Sequence, residues 1–423
     1  MNATAPLSVR RCVRRARRAI GGFRRDRAGN VAIIFALSLV PVFGAVGAAV
    51  DYSRANSART AMQVALDTTA LMISKEALDL NNAQVQKKAK TYFDAQFSRP
   101  DVKKLNVTFD MQTNGPGDFT VIAQATGTID TAIARVIGKD TIDLRTTSQV
   151  RWGFKALEIA LALDNTGSMA AKNKMTELKA AVKLLIAQMK KNSKVPDDTK
   201  IAIIPFSTVV NVGTGFVDAP WLAYDSTITK ANWQGCVADR DQPNDVKDTA
   251  PTGGAATMFP VANCGSLAKA LPLTSDWAAM DAVVDAMTPS GMTNVTIGTM
   301  WGWHALTQGE PFTQAKAVKN DVEKVLILLT DGLNTQDRWY TDQASIDARQ
   351  ALTCNNINAA GFTLYAIQVN TGGDPTSTLL QNCAGSPGKY PDSSKFFLLT
   401  SANQIVTTFN AIGTNLSQLR ISK

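Results

Sequence analysis

The sequence predicts an α/β fold, a doubly wound and mostly parallel sheet. A transmembrane helix, a long amphipathic helix and a small α+β unit precede it. Three observations carry this reading. Residues 157–163 and 325–330 are nearly continuous apolar runs, as in strands buried on both faces of a parallel sheet, and each stops at an aspartate, Asp164 and Asp331. From about Lys155 to the end, strand-like and helix-like patterns alternate. Residues 31–50 are twenty positions without a charge.

At 423 residues the chain is long enough for two or three domains, and a hydrophobic content of 45% supports a sizeable core. Residues 1–30 form a basic arm with nine arginines against the single acid Asp26, so it holds +8 of the chain's net +9. An arginine-rich arm could serve nucleic acid, but the uncharged run that follows argues for topology instead, and no nucleic-acid partner is expected. As a helix, residues 31–50 would extend about 30 Å, the hydrocarbon thickness of a bilayer. Arginines before the run and few cations after it place the N-terminus inside, in the cytoplasm. Pro41, disruptive in a soluble helix, is tolerated in a membrane. A cleaved signal peptide is the alternative, and the length near twenty favours a retained anchor.

Residues 51–152 form the next region. Its first part, Asp51 to about Phe97, is rich in Ala, Met, Leu and Gln, with an imperfect apolar stripe through Ala58, Met62, Ala65, Leu66 and Met72. One long helix is expected there. Two alternating segments around 106–111 and 119–126 flank the turn sequence Asn114-Gly115-Pro116-Gly117-Asp118. A short helix at 131–137 and a strand at 141–152 complete the α+β unit.

The segments Arg27-Ala28-Gly29-Asn30-Val31-Ala32-Ile33-Ile34-Phe35-Ala36-Leu37 and Val50-Asp51-Tyr52-Ser53-Arg54 are similar to the N-terminal part of TadE/TadG-like proteins of tight-adherence (Flp) pilus assembly. The resemblance covers about residues 25–80. It implies a single-pass protein of the bacterial inner membrane with a periplasmic C-terminal part. Ile34 is the fifth residue from Gly29, where type IV pilin precursors carry Glu, which speaks against prepilin processing.

Residues 153–423 hold the doubly wound region. Strands are expected at 157–163, 201–206, 325–330, 362–369 and 396–399. Helices are expected at 172–191, 276–287, 295–307, 342–359, 375–382 and 402–418. A polar stretch at about 207–275, too long for a structureless loop, reads as an ordered, disulfide-pinned insertion and the place for partner specificity. Of five cysteines, Cys12 lies in the basic arm, and Cys236, Cys264, Cys354 and Cys383 follow the membrane segment. An even count there suits an oxidising compartment and two disulfides. Four cysteines allow three pairings and the sequence does not choose; the local pairs Cys236–Cys264 and Cys354–Cys383 are favoured. The absence of any Cys-x-x-Cys, with His304 as the one histidine, speaks against zinc.

After the first apolar run, Asp164, Thr166 and Ser168 alternate, so in an extended loop one carboxylate and two hydroxyls point the same way beyond a strand end. These are hard oxygen donors suited to Mg²⁺ or Mn²⁺. Asp164-x-Thr166-x-Ser168 resembles the metal-ion-dependent adhesion site of von Willebrand factor type A domains, with Thr166 in place of the usual first serine. Gly291-Met292-Thr293-Asn294 and the run ending Thr330-Asp331-Gly332 resemble that family's threonine and aspartate loops. The resemblance implies Thr166, Ser168 and Thr293 as direct ligands and Asp164 and Asp331 acting through water. It implies a protein partner that offers a carboxylate, a pilus-assembly or surface component.

The competing reading makes Asp164 a helix cap, Thr166 and Ser168 turn-binding hydroxyls, and Asp331 the start of a turn. Asp337 is expected to be a solvated acid, and His304 a packed or surface histidine. Trp301 and Trp303, on different helix faces, are expected to divide between core and rim. No Gly-x-Ser-x-Gly elbow and no phosphate-binding Gly-x-x-x-x-Gly-Lys-Ser/Thr loop is present, so no enzyme activity is expected.

Overall fold

A computed structural model describes residues 29–76, 80–115, 118–153, 155–193, 195–252, 254–318 and 322–421. The basic arm and Cys12 lie outside the described residues. The chain divides into two compact units, Met1–Gln112 with Thr120–Arg151, and Thr113–Phe119 with Trp152–Lys423.

In the first unit, helix α1 (Gly29–Ser74) runs through Pro41 without a break. Its segment from Ile33 is long and apolar enough to cross a membrane. Along residues 31–50 the large apolar side chains stand exposed, with Val40 at 72%. Beyond Asp51, Ala58, Met62, Ala65 and Leu66 of the expected stripe are buried, but Met72 is exposed and Ile73 is buried in its place. The single helix expected to about Phe97 is in fact two, because α2 (Asn82–Gln96) starts afresh at Asn81. There the Asn81 side chain accepts from Gln84 N–H while the Gln84 side chain accepts from Asn81 N–H. This reciprocal cap satisfies two otherwise orphaned donors. The α2 face Val85, Ala89 and Phe93 is buried. Strands β1 (Val102–Gly115), β2 (Asp118–Asp130) and β3 (Thr141–Gly153) form a three-stranded sheet in that order. A single 3-10 turn, Ala134–Ile137, links β2 to β3.

In the second unit, β4 (Ala156–Asp164) and β11 (Val322–Thr330) lie side by side at the sheet centre. Parallel strands continue on both sides, β5 (Thr199–Phe206) next to β4, and β12 (Thr363–Val369) and β13 (Phe396–Leu399) beyond β11. Alternate residues serve opposite faces. Leu157, Ile159, Leu161 and Leu163 pack with α3 (Lys174–Asn192) and α8 (Gln404–Ile421), through Leu178, Val182, Leu185 and Phe409. Ala160 and Ala162 face the other way, toward α5 (Val295–Leu306).

Small residues on that second face let α5 come very close. A Cβ on Gly298 would lie 2.3 Å from the Phe206 ring, and one on Gly302 would lie 2.4 Å from Leu326 Cδ1. At Gly298 an added carbon meets a packed ring, whereas at Gly302 it meets the flexible end of a leucine. Since α5 begins directly after Thr293 and Asn294, this contact fixes the threonine loop against the sheet.

The described residues of the region 207–275 carry regular structure. They add β6 (Val210–Asn211), β7 (Leu222–Ala223), β8 (Cys236–Val237), β9 (Phe259–Ala262) and β10 (Leu271–Thr274) to the sheet. Most of these pair antiparallel, so the continuous parallel part is the five-strand run from β13 to β5. Both favoured disulfides form, Cys236–Cys264 inside this region and Cys354–Cys383 between α6 (Gln343–Ala359) and α7 (Thr378–Cys383).

Every residue of α5 is buried, Trp301 and Trp303 included. The expected division of these two between core and rim is therefore corrected. Trp221 and Phe259 of the insertion cover the outer side of α5, with the Phe259 and Trp301 ring centres 4.9 Å apart. His304 is buried in the same cluster, its ring edge-on to Phe259 and its Nδ1 3.0 Å from Asp248 Oδ1.

Candidate metal site

The two apolar strands β4 and β11 end level with each other, and their terminal polar residues meet. Asp164 is wholly buried. Its Oδ1 accepts from Thr166 N–H at 2.9 Å and from the Thr166 hydroxyl at 2.6 Å, while its Oδ2 accepts from the Thr330 hydroxyl at 2.7 Å. Thr166 Oγ1 lies 3.0 Å from Ser168 Oγ, and Ser168 donates to Asp331 Oδ1 at 2.6 Å. One continuous chain of oxygens thus joins the first loop to the third.

The threonine loop is held beside them by backbone bonds. Gly167 N–H donates to Gly291 C=O at 3.0 Å, and Ser290 N–H donates to Asn165 C=O at 2.8 Å. Thr293 itself is locked to the third loop. Its N–H donates to Thr335 Oγ1 at 2.8 Å, and its C=O accepts from Thr335 N–H at 2.9 Å. A Cβ built on Gly332 would stand 3.8 Å from Ser168 Oγ and 3.9 Å from Thr293 Oγ1. Gly332 therefore lies beside both hydroxyls. All five residues singled out from the sequence, Asp164, Thr166, Ser168, Thr293 and Asp331, border this one place.

Burial, and then the nearby Asp331 carboxylate, push the Asp164 acid up to about 6. Thr166 and Thr330 oppose that by hydrogen bonding to the charged form. Two carboxylates brought close at the edge of an apolar core call for a cation. In this structure a side chain supplies one: the Lys174 ammonium is buried and pairs with Asp331 Oδ2. The turn before α3 delivers it, with Lys172 and Asn173 both left-handed at φ 53° and 60°.

Sequence reasoning missed Lys174. It opens an amphipathic helix where a lysine ordinarily faces water. Thr330 was also missed, although it stands next to Asp331. Asp337 corrects an expectation, for it is buried and not solvated. Its Oδ1 accepts from Trp339 N–H at 2.7 Å and from Tyr340 N–H at 2.5 Å, closing the turn of the third loop.

The donor set fits a hard divalent cation such as Mg²⁺ or Mn²⁺: three hydroxyls, two carboxylates, and neither sulfur nor imidazole. Among the described residues no group of three or more His, Cys, Asp or Glu side chains could hold a metal. A site on these loops would therefore depend on hydroxyls.

No curated protein matches the chain in sequence. Three solved structures are similar to the chain at low identity. The pilus adhesin SpaC from Lactobacillus rhamnosus GG, in its open conformation, has 16% identity and a TM-score of 0.39, over 77% of this chain and 35% of that one. The chain therefore spans about a third of that adhesin's length. The vWF domain of the type V pili tip protein Mfa5 from Porphyromonas gingivalis has 11% identity and a TM-score of 0.41, over 64% and 98%. Proximal thread matrix protein 1 from the mussel byssus, with a zinc-occupied MIDAS motif, has 17% identity and a TM-score of 0.34, over 62% and 46%. The family model described as "Putative Flp pilus-assembly TadE/G-like" matches residues 29–72. The chain is thus similar to that family over residues 29–72, and its C-terminal unit is an α/β fold around a largely parallel sheet.

Proposed function

We propose that this chain is a membrane-anchored, non-enzymatic component of tight-adherence pilus assembly or surface attachment. In this reading it binds a protein partner through a divalent cation at a metal-ion-dependent adhesion site. The observation that carries the reading is the oxygen chain from Asp164 through Thr166 and Ser168 to Asp331, with Thr293 alongside. Thr166, Ser168 and Thr293 would hold Mg²⁺ or Mn²⁺ directly, and Asp164 and Asp331 through water. With only two carboxylates nearby, the bound cation would remain electron-poor and accept a carboxylate from a partner. Ser168 has Thr166 and Asp331 as hydrogen-bond partners and no imidazole beside it, which supports binding rather than hydrolysis.

Residues 31–50 would anchor the chain in the bacterial inner membrane, with the basic arm cytoplasmic and the α/β unit periplasmic. Two disulfides beyond the apolar segment suit that oxidising compartment. One observation favours a second reading, a structural, pseudopilin-like envelope protein with a vestigial site: Lys174 already neutralises Asp331.

Thermal melting of the full chain in detergent, with Mg²⁺, Mn²⁺ or chelator, separates the two. A cation bound only by the folded state raises the melting temperature. The metal reading requires that rise in the wild type and its loss in Asp164→Ala. Identical responses would leave the structural reading. The topology has its own check, since a membrane-impermeant thiol reagent added to intact spheroplasts should not label Cys12.

A further inference from the structure

The Asp51 carboxylate lies at the end of the apolar run of α1, yet it is buried. It accepts from three consecutive backbone N–H groups, those of Ala132 at 2.8 Å, Ile133 at 2.9 Å and Ala134 at 2.8 Å. These open the 3-10 turn Ala134–Ile137. Ile133 also packs against α1 at Gly47, where a Cβ would come within 2.1 Å of Ile133 Cγ2. The turn is therefore fastened to the helix between Gly47 and Asp51.

That level matters. At 1.5 Å rise per residue, Gly47 lies about 4.5 Å inside the end of the run 31–50. Amphipathic elements at a bilayer surface sink their apolar side about 5–10 Å into the headgroup and acyl boundary. The turn has the composition for that depth. Val136 is 86% exposed and Ile133 is 39% exposed. Arg135 and Lys139 flank them, both exposed, Arg135 pairing with the exposed Asp140 at 3.3 Å. Tyr52, 67% exposed on the same stretch of α1, suits an interfacial aromatic.

We propose that the turn Ala134–Ile137, with Ile133, is a second membrane contact. It rests in the lipid headgroup layer beside α1, with Ile133 and Val136 at the acyl boundary and Arg135 and Lys139 at the level of the phosphates. The occupant of this surface is the bilayer, because the turn is continuous with the apolar face of residues 31–50. The inference rests on those residues spanning the membrane.

The test places single probes on the full chain in phosphatidylethanolamine–phosphatidylglycerol vesicles, in a Cys12→Ser background where the other four cysteines are paired. An environment-sensitive fluorophore is attached to Val136→Cys, Val40→Cys or Lys87→Cys. Lipids carry a spin-label quencher on the headgroup or deep in the acyl chain. The expected result is headgroup quenching several-fold stronger at position 136 than at 87, with deep quenching at position 40. Adding Val136→Asp should reduce headgroup quenching of a probe at Ala132→Cys to the level seen at position 87. Quenching at 136 no stronger than at 87, with position 40 quenched, overturns the proposal and leaves the span intact. A blue-shifted but unquenched probe at 136 marks protein contact and overturns it equally. An unquenched position 40 removes the span and this contact with it.

Discussion

The Asn294 side-chain amide donates to Asp239 Oδ2 at 2.8 Å. Asp239 follows β8 in the insertion, and Asn294 follows Thr293 on the second loop of the candidate site. The same Oδ2 accepts from Arg338 N–H at 3.3 Å, and Arg338 Nη1 donates to Asp239 C=O at 2.9 Å. One buried carboxylate therefore ties the insertion to both the threonine loop and the aspartate loop.

Burial, and then the charge of Asp337, hold the Asp239 acid up at about 7. An unfolded aspartate titrates near 3.9, so between about pH 4 and pH 7 the native state keeps a proton that the unfolded state has released. Stability should fall across that window as pH rises, then level off. The full shift corresponds to about 4 kcal/mol. Asp239→Asn keeps an oxygen to accept both bonds but cannot ionise. Its melting temperature relative to wild type should rise from about pH 4 to about pH 7 and then level off. A difference that does not vary with pH would show that Asp239 is not the titrating group.

Gly298 and Gly302 test how tightly α5 must lie on the sheet. Alanine is the better helix former by about 1 kcal/mol, so an exposed glycine would gain from the exchange. Here the added methyl meets the Phe206 ring, and overpacking of this kind costs about 1–3 kcal/mol. Gly298→Ala should lower denaturant stability, and it should also weaken any metal response, because the threonine loop shifts with the helix. Unchanged stability would mean that the ring gives way freely.

Glu158 and Lys324 are neighbours in register on β4 and β11 and are both buried. Glu158 Oε2 accepts from the Lys324 ammonium at 2.5 Å, which also donates to Leu306 C=O at 2.7 Å. Removing one partner strands a charge in the core, so Glu158→Ala should cost about 3–5 kcal/mol. The double change Glu158→Leu with Lys324→Met should recover most of that loss. Urea denaturation of the wild type, of Glu158→Leu and Lys324→Met singly and of the double change measures the coupling.

Lys174→Met isolates the ammonium at the candidate metal site. A monovalent and a divalent cation about 4 Å apart repel by about 8 kcal/mol at an effective dielectric of 20, so lysine and metal compete for Asp331. The variant should be less stable than wild type in chelator and should bind Mn²⁺ at least about tenfold tighter, a gain of about 1.4 kcal/mol. Calorimetric titration reads the affinity directly. Weaker binding would mean that the lysine positions Asp331 for the metal.

The parts legible in the sequence were those encoded locally. The runs at 157–163 and 325–330 are apolar because both sheet faces are covered, and each ends in the acid that reaches the site. The local cysteine pairs also formed, in loops short enough to close easily. What escaped the reading depends on distant chain. Trp303 and Asp337 are buried by segments remote in sequence, so no periodicity around them announces it. The helix break at Asn81 has a local signal, Asn81 with Gln84, but it was masked by an otherwise good helical composition. Lys174 has no signal of its own, since its buried partner is 157 residues away.

Because Trp221, Leu222 and Phe259 sheathe α5, the long insertion is not an ornament that protein engineering could trim. A shortened chain lacking it would strip the coat from a helix with no polar side, exposing Trp301 and Met300 to water. The unit has no minimal version hidden inside it: the part that looks most dispensable in the sequence is one wall of the house.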